Sequence, residues 1–99
     1  MPKVVRKDNR VLFECPGCKN LHQPRIEGAE PVWSWNNDLD KPTINPSIRA
    51  RWDEGEERVQ KCCHFFVRDG CIEFCGDSTH ELAGKTVEMQ EVPEWASRW

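Results

Sequence analysis

Val59-Gln60-Lys61-Cys62-Cys63-His64-Phe65-Phe66-Val67, then Arg68-Asp69-Gly70, then Cys71-Ile72-Glu73-Phe74-Cys75: this run decides the fold. Two segments rich in aromatic and β-branched residues flank a turn-forming Asp-Gly pair, which is the pattern of a β-hairpin. Loop length then sets which side chains share a face. If Asp69-Gly70 is a two-residue turn, His64 lies opposite Cys75 and Cys62 shares their face. If Arg68-Asp69-Gly70 is a three-residue loop with Gly70 left-handed, Cys63 lies opposite Cys75 instead. The sequence leaves both registers open.

Upstream of the hairpin, residues 48–52 read as a strand and Asp53, Glu54, Glu56 and Glu57 as a solvated acidic loop. Residues 37–47 hold Pro42 and Pro46 and are expected to be extended without regular structure. Val32-Trp33-Ser34-Trp35-Asn36 alternates large apolar and polar residues, as a half-buried strand does. Residues 21–26 suggest a short strand closed by Gly28, and residues 4–14 two short strands joined at Asp8-Asn9. Downstream, Ser78-Thr79-His80-Glu81 has capping-box spacing and Gly84 suits the position after a helix end, so one short helical turn is expected there. Residues 86–92 can supply a last strand. Residues 93–99 form a C-terminal tail whose Trp95 and Trp99 can dock back on the sheet. The expectation is a mainly β fold, one zinc-stabilised domain over residues 1–99.

A chain of 99 residues with 37% apolar residues builds a small core, for which a cross-link matters. Six cysteines can supply one. Residues 1–14 mix Lys3, Arg6, Lys7, Asp8 and Arg10 with short apolar pairs, unlike the apolar core of a signal peptide. No segment has the ~18 apolar residues of a membrane span. The expected location is therefore cytoplasmic, where paired cysteines read as metal or redox sites rather than disulfides. A net charge of −3 argues against nucleic acid as the partner.

Cys15-Pro16-Gly17-Cys18 is the strongest metal signal. Two thiolates at this spacing reach one tetrahedral Zn²⁺ at ~2.3 Å, and Gly17 can take a positive φ that curls both sulfurs inward. A thioredoxin-like site would need a helix after the second cysteine, and residues 19–24 do not favour one. Two further ligands must come from the hairpin region. Cys75 is favoured under either register and Cys63 slightly over Cys62, which gives Cys15, Cys18, Cys63 and Cys75 as the zinc set. Cys62, His64 or His80 are possible replacements, and His80 is the main competitor for the fourth place. His22 reads more readily as a solvent-facing histidine, and Cys62 and Cys71 as ordinary small thiols. A closed four-ligand shell makes the zinc structural.

Taken together, Cys15-Pro16-Gly17-Cys18, Trp35-Asn36-Asn37-Asp38, Pro42-Thr43-Ile44-Asn45-Pro46-Ser47-Ile48, Cys63-His64-Phe65, Asp69-Gly70 and Asp77-Ser78-Thr79-His80-Glu81-Leu82-Ala83-Gly84 resemble a known set of proteins. These are small phage and prophage zinc-binding proteins related to the BubE-type serine peptidases of bacterial ubiquitin-like operons. The likeness spans about residues 12–87. It implies a zinc-stabilised serine peptidase acting on a ubiquitin-like protein, in the host cytoplasm if phage-encoded. By position, the family's Pro-Ser-Ile serine falls on Ser47 and its Ser-His-Phe histidine on His64, where this chain reads Cys-His-Phe. The tryptophan-cysteine that ends the family's hairpin corresponds to Phe74-Cys75, which supports Cys75 as a ligand. The phage relatives carry cysteine where this chain has Ser78 and an apolar residue where it has Cys75. That leaves open a ligand moved by three residues, or His80 as the fourth.

The chemistry is coherent apart from the likeness. A serine hydroxyl is a weak nucleophile until a histidine accepts its proton, and a third group commonly orients that ring. Ser47 follows two prolines in a stiff segment. His64 sits on a strand beside a candidate ligand. Asp77 is the nearest orienter by topology, with Asp38 behind it. Against this, a serine after proline is usually a turn residue or cap, and a strand histidine among cysteines is often a ligand. Two functions therefore stand: a serine hydrolase acting on a peptide or ester bond, and a non-catalytic zinc-ribbon-like protein-interaction module using the Trp33/Trp35 loop or the tail.

Overall fold

The structure, a computed structural model, describes residues 2–98 except the side chains of Glu94 and Ser97. Its central hairpin joins β6 (Val59–Arg68) to β7 (Cys71–Phe74). Arg68 pairs directly with Cys71, and Asp69 and Gly70 both have positive φ, 48° and 77°, as a two-residue type I′ turn requires. Of the two registers the sequence allows, this is the one adopted. Phe65 and Val67 then face Phe74 and Ile72, all buried. His64 comes opposite Cys75, whose N–H donates to the His64 carbonyl at 2.8 Å. Successive side chains alternate faces, so Cys63 points into the core and His64 away from it.

The hairpin belongs to an antiparallel sheet in the order β4 (Ser34–Trp35), β5 (Ile44–Glu54), β6, β7 and β8 (Thr86–Glu88). A smaller sheet is formed by β1 (Val5–Lys7), β2 (Arg10–Glu14) and β3 (Leu21–His22). One apolar core joins them. Val4, Val11, Phe13 and Cys15 come from the first sheet and its flanks, and Ile44, Ile48, Cys63, Phe65, Val67, Ile72 and Phe74 from the second. Phe13 and Phe65 meet edge to face at 6.0 Å. The mainly β fold is thus the one the sequence implies. Among the described residues no helix is long and apolar enough to cross a membrane.

Some boundaries differ from the sequence reading, each for a local reason. Strand β5 begins at Ile44, inside the segment expected to be irregular. Ile44 pairs with Val67 and Ile48 with Phe65, so Asn45, Pro46 and Ser47 together oppose Phe66 alone. A bulge of this kind tolerates a proline because it does not need that residue's N–H in the ladder. The strand expected over 21–26 is cut to β3, and that over 32–36 to β4. Trp33 N–H donates instead to the Arg25 carbonyl at 2.8 Å.

Between β4 and β5, Asn36 Oδ1 accepts the N–H groups of Asp38 and Thr43, and Asp38 Oδ1 those of Asp40 and Lys41. Those two backbone donors hold the Asp38 carboxyl below its usual range. Asp38 is therefore a brace of its own loop.

The short helical turn after β7 takes the form of two tight turns, with Ala83 N–H to His80 O and Lys85 N–H to Leu82 O, and left-handed Gly84 lies within the second. The tail holds a 3-10 helix, Glu94–Arg98. Ala96 and Val92 are buried and Val92 N–H donates to the Pro2 carbonyl at 2.9 Å, which ties this end to the N-terminal segment. Trp95 is 56% exposed. Trp99 lies outside the described residues.

Candidate active site and metal cluster

The outer face of the large sheet carries Ser47, His64 and Asp77 in one line. Ser47 Oγ is 3.1 Å from His64 Nε2, and His64 Nδ1 is 3.0 and 3.1 Å from the two Asp77 carboxylate oxygens. A carboxylate only accepts, so in the neutral ring Asp77 selects the tautomer with the proton on Nδ1, which turns the Nε2 lone pair to the serine hydroxyl. The β5 bulge turns Ser47 toward this ring. Trp33 fixes it further, since its indole N–H donates to the Ser47 carbonyl at 3.1 Å.

Both β6 and the segment after β7 hold the histidine. Ser78 is buried, and its hydroxyl accepts from His64 N–H and donates to His64 C=O, each at 3.0 Å. Thr79 Oγ1 does the same for Cys62, at 2.9 and 3.2 Å. Two hydroxyls thus replace strand partners along β6, and Asp77 is carried beside His64 by them. We expect Ser78→Ala to lower stability by about 1–3 kcal/mol, the usual cost of an orphaned buried backbone donor. Urea unfolding of the variant checks this. An unchanged midpoint would mean that water replaces the hydroxyl.

On the opposite face, Cys15, Cys18, His22 and Cys63 bring three sulfurs and a ring nitrogen within 4.8 Å of one another, a set that could hold a metal ion. Cys15 Sγ is 3.7 Å from Cys63 Sγ, and Cys18 Sγ 3.3 Å from His22 Nε2. Hydrogen bonding from Cys15 and Cys63 pulls the Cys18 thiol far below its ordinary range, while hydrogen bonds to Cys15 and Cys18 push Cys63 up. Burial pushes the His22 imidazole down, but the hydrogen bonds and negative charge of Cys15 and Cys18 outweigh it and raise it to about 9. Cys18 is thus the sulfur that favours the thiolate, the form in which cysteine binds metal, while Cys63 is held toward the thiol.

The membership of this cluster differs from the sequence-derived set by one residue. The structure does not bring Cys75 to Cys15, Cys18 and Cys63. The two-residue turn sends it to the outer face, where Cys75, His64 and Asp77 place their ligand atoms within 4.8 Å of one another. His22 stands in the cluster instead. It pairs directly with Phe13 on β2 and is 6% exposed, so the short β3 turns the ring inward against Phe65 at 4.8 Å. The Cys18-x₃-His22 spacing is the one sequence sign of this.

His80, the expected competitor, stands at the rim with Nε2 3.4 Å from Cys63 Sγ, and burial pushes its imidazole down. Phe74 packs against its ring at 4.5 Å and Leu82 N–H donates to Nδ1 at 3.2 Å. Gly17 has ordinary φ; the left-handed residue of the knuckle is Lys19, with φ 66°. The glycine is needed for space, because a Cβ there would lie 2.6 Å from His80 Nε2 and 2.8 Å from Nδ1. We expect Gly17→Ala to cost about 1–3 kcal/mol through overpacking against a ring that Phe74 and the Leu82 N–H hold in place. A thermal melt that matches wild type would show that the ring moves freely.

Hollows adjoin β5 on both of its faces. A cleft of about 370 Å³ is walled by Leu21, Pro24, Arg25, Trp33, Ile48 and Ala50. A smaller one of about 270 Å³ lies between Arg51, Gln60, Cys62, Asp77 and Thr79.

The model of one protein family, described as the bacterial ubiquitination-like system serine protease (BubE), matches residues 2–75. The matched span includes Ser47, His64 and all four cluster residues, and ends before Asp77. No curated protein and no solved structure matches the chain.

Proposed function

The chain belongs to the BubE family, whose model covers residues 2–75 of its 99, and from that membership we propose that it is a zinc-braced serine hydrolase that cleaves the peptide tail of a ubiquitin-like protein. The observation that carries the reading is the pair of contacts at His64, 3.1 Å to Ser47 Oγ on one side and 3.0 Å to Asp77 on the other. In the reaction, Ser47 Oγ attacks the scissile carbonyl carbon as His64 Nε2 takes its proton. Asp77 holds the ring and stabilises the imidazolium that forms. The same proton passes to the departing amine, and water then releases the acyl group from Ser47 by the reverse use of the base.

An extended peptide as substrate fits the sheet. Strand β4 covers β5 only at Ile44 and Asn45, so among the described residues β5 has no strand partner on that side from Pro46 to Glu54. A peptide that adds to this edge would run alongside Ser47, with the Trp33–Ile48 cleft open to its side chains.

Zinc is the ion the donor set suits. Tetrahedral Zn–S bonds of ~2.3 Å put two sulfurs about 3.8 Å apart, and a Zn–N bond of ~2.0 Å puts nitrogen and sulfur about 3.5 Å apart. The observed 3.7 and 3.3 Å are close to both. Cys15, Cys18, His22 and Cys63 would hold it. With all four places filled, its contribution is to cross-link the knuckle, β3 and β6.

Labelling by a fluorophosphonate tests the proposal. Ser47 should be the labelled residue. A folded, metal-loaded chain that never reacts would favour a non-catalytic interaction module.

A further inference from the structure

We propose that His64 Nδ1, Cys75 Sγ and the Asp77 carboxylate form a second site, for a soft divalent cation such as Zn²⁺, whose occupation switches the serine off. The three ligand atoms lie within 4.8 Å of one another, a span that one ion at ordinary bond lengths can bridge. They come from two adjacent segments whose placement is fixed. Cys75 is locked opposite His64 by the Asp69-Gly70 turn and by its own N–H to the His64 carbonyl. Asp77 is held two residues on by the hydroxyls of Ser78 and Thr79.

All three sit on the outer face of the sheet, with Asp77 exposed and His64 and Cys75 half-buried, so an ion can enter from solvent. The first cluster lies on the other face and shares none of these ligands. Thiolate, imidazole and carboxylate together suit Zn²⁺ or Co²⁺ and not Mg²⁺ or Ca²⁺, which favour oxygen shells.

Inhibition follows from which ring nitrogen is used. The ion takes the Nδ1 lone pair and so displaces the proton that faced Asp77. The Cys75 thiol proton goes to solvent, and the neutral ring keeps its one proton on Nε2. That nitrogen then donates to Ser47 Oγ and has no lone pair with which to accept the serine's proton. Serine and histidine remain in contact, but the base is gone. The binding claim stands on geometry alone, whereas the inhibitory claim rests on the hydrolase reading.

The experiment adds Zn²⁺ to protein already holding one equivalent, with metal content and fluorophosphonate labelling read in parallel. Wild type should take a second equivalent and label at least about tenfold more slowly as it does. Cys75→Ala should bind that second equivalent at least about tenfold more weakly and label at its own one-equivalent rate throughout. Mg²⁺ at the same concentration should change neither.

Saturation of wild type at one equivalent, equal second-site binding by Cys75→Ala, or labelling untouched by the second ion would each overturn the proposal. Should one-equivalent wild type not label at all, the hydrolase reading falls and the inhibitory claim with it. The titration, with the ¹⁵N shift of His64 Nδ1, then still decides whether the ion is bound there.

Discussion

Fluorophosphonate labelling of Ser47 should slow by about 10²–10⁴ in His64→Ala, the range that a positioned general base supplies, and should vanish in Ser47→Ala. The size of the effect follows from the geometry. Ser47 Oγ has His64 Nε2 at hydrogen-bond distance, and its own carbonyl is already occupied by the Trp33 indole. Without the ring, the proton must go to water. Asp77→Asn should cost less than His64→Ala. Its side chain is 50% exposed, against 23% for His64, so solvent can partly take over its role. The variant should still label more slowly than wild type, because an amide N–H₂ turned to the ring favours the tautomer without a lone pair on Nε2. Labelling rates under identical metal loading check the order of the three variants. A His64→Ala protein that labels as fast as wild type would leave the contact at 3.1 Å without a catalytic role.

Exhaustive chelation should unfold the chain cooperatively. Cys15 and Cys63 are fully buried and His22 nearly so, and Cys63 on β6 lies 48 residues beyond Cys15, so the cluster ties the knuckle and the adjoining β3 to a distant strand. Structural zinc contributes on the order of 10–16 kcal/mol in zinc-finger peptides, while a domain of this kind has a net stability of about 5–15 kcal/mol. On the zinc reading, removal of the ion therefore takes away as much as the whole margin. Near-ultraviolet circular dichroism of the tryptophans should collapse on chelation and return when zinc is restored. Cys15→Ser should show the same loss without a chelator. A native spectrum in chelated protein would show that the apolar core alone holds the fold.

Much of this molecule can be read along the chain, and the gaps have physical causes. The hairpin at 59–75 is evident because its apolar runs and Asp-Gly pair are local signals. Its register is not, since two-residue and three-residue loops both suit those residues, and one step of slip moves Cys75 to the other face. His22 was hidden because a two-residue strand has no periodicity; only the pairing of Phe13 with His22 shows that the ring faces inward. Pro46 argues against a strand in any local reading, and the bulge that admits it depends on Phe66 across the ladder. Ser47, His64 and Asp77 are 17 and 13 residues apart, and their convergence needs both the bulge and the clasp by Ser78. The role of Ser78 itself had only a capping pattern to suggest it.

Cys63 and His64 are neighbours on one strand, and alternation sends the first to the buried cluster and the second to the surface line. On the hydrolase reading, a newly made copy that has not yet met its ion has no ordered β6, and therefore no aligned nucleophile. Maturation and competence would be a single event. The cell that produces such a peptidase would be spared its action on nascent chains, and starvation for the ion would silence it without any separate inhibitor.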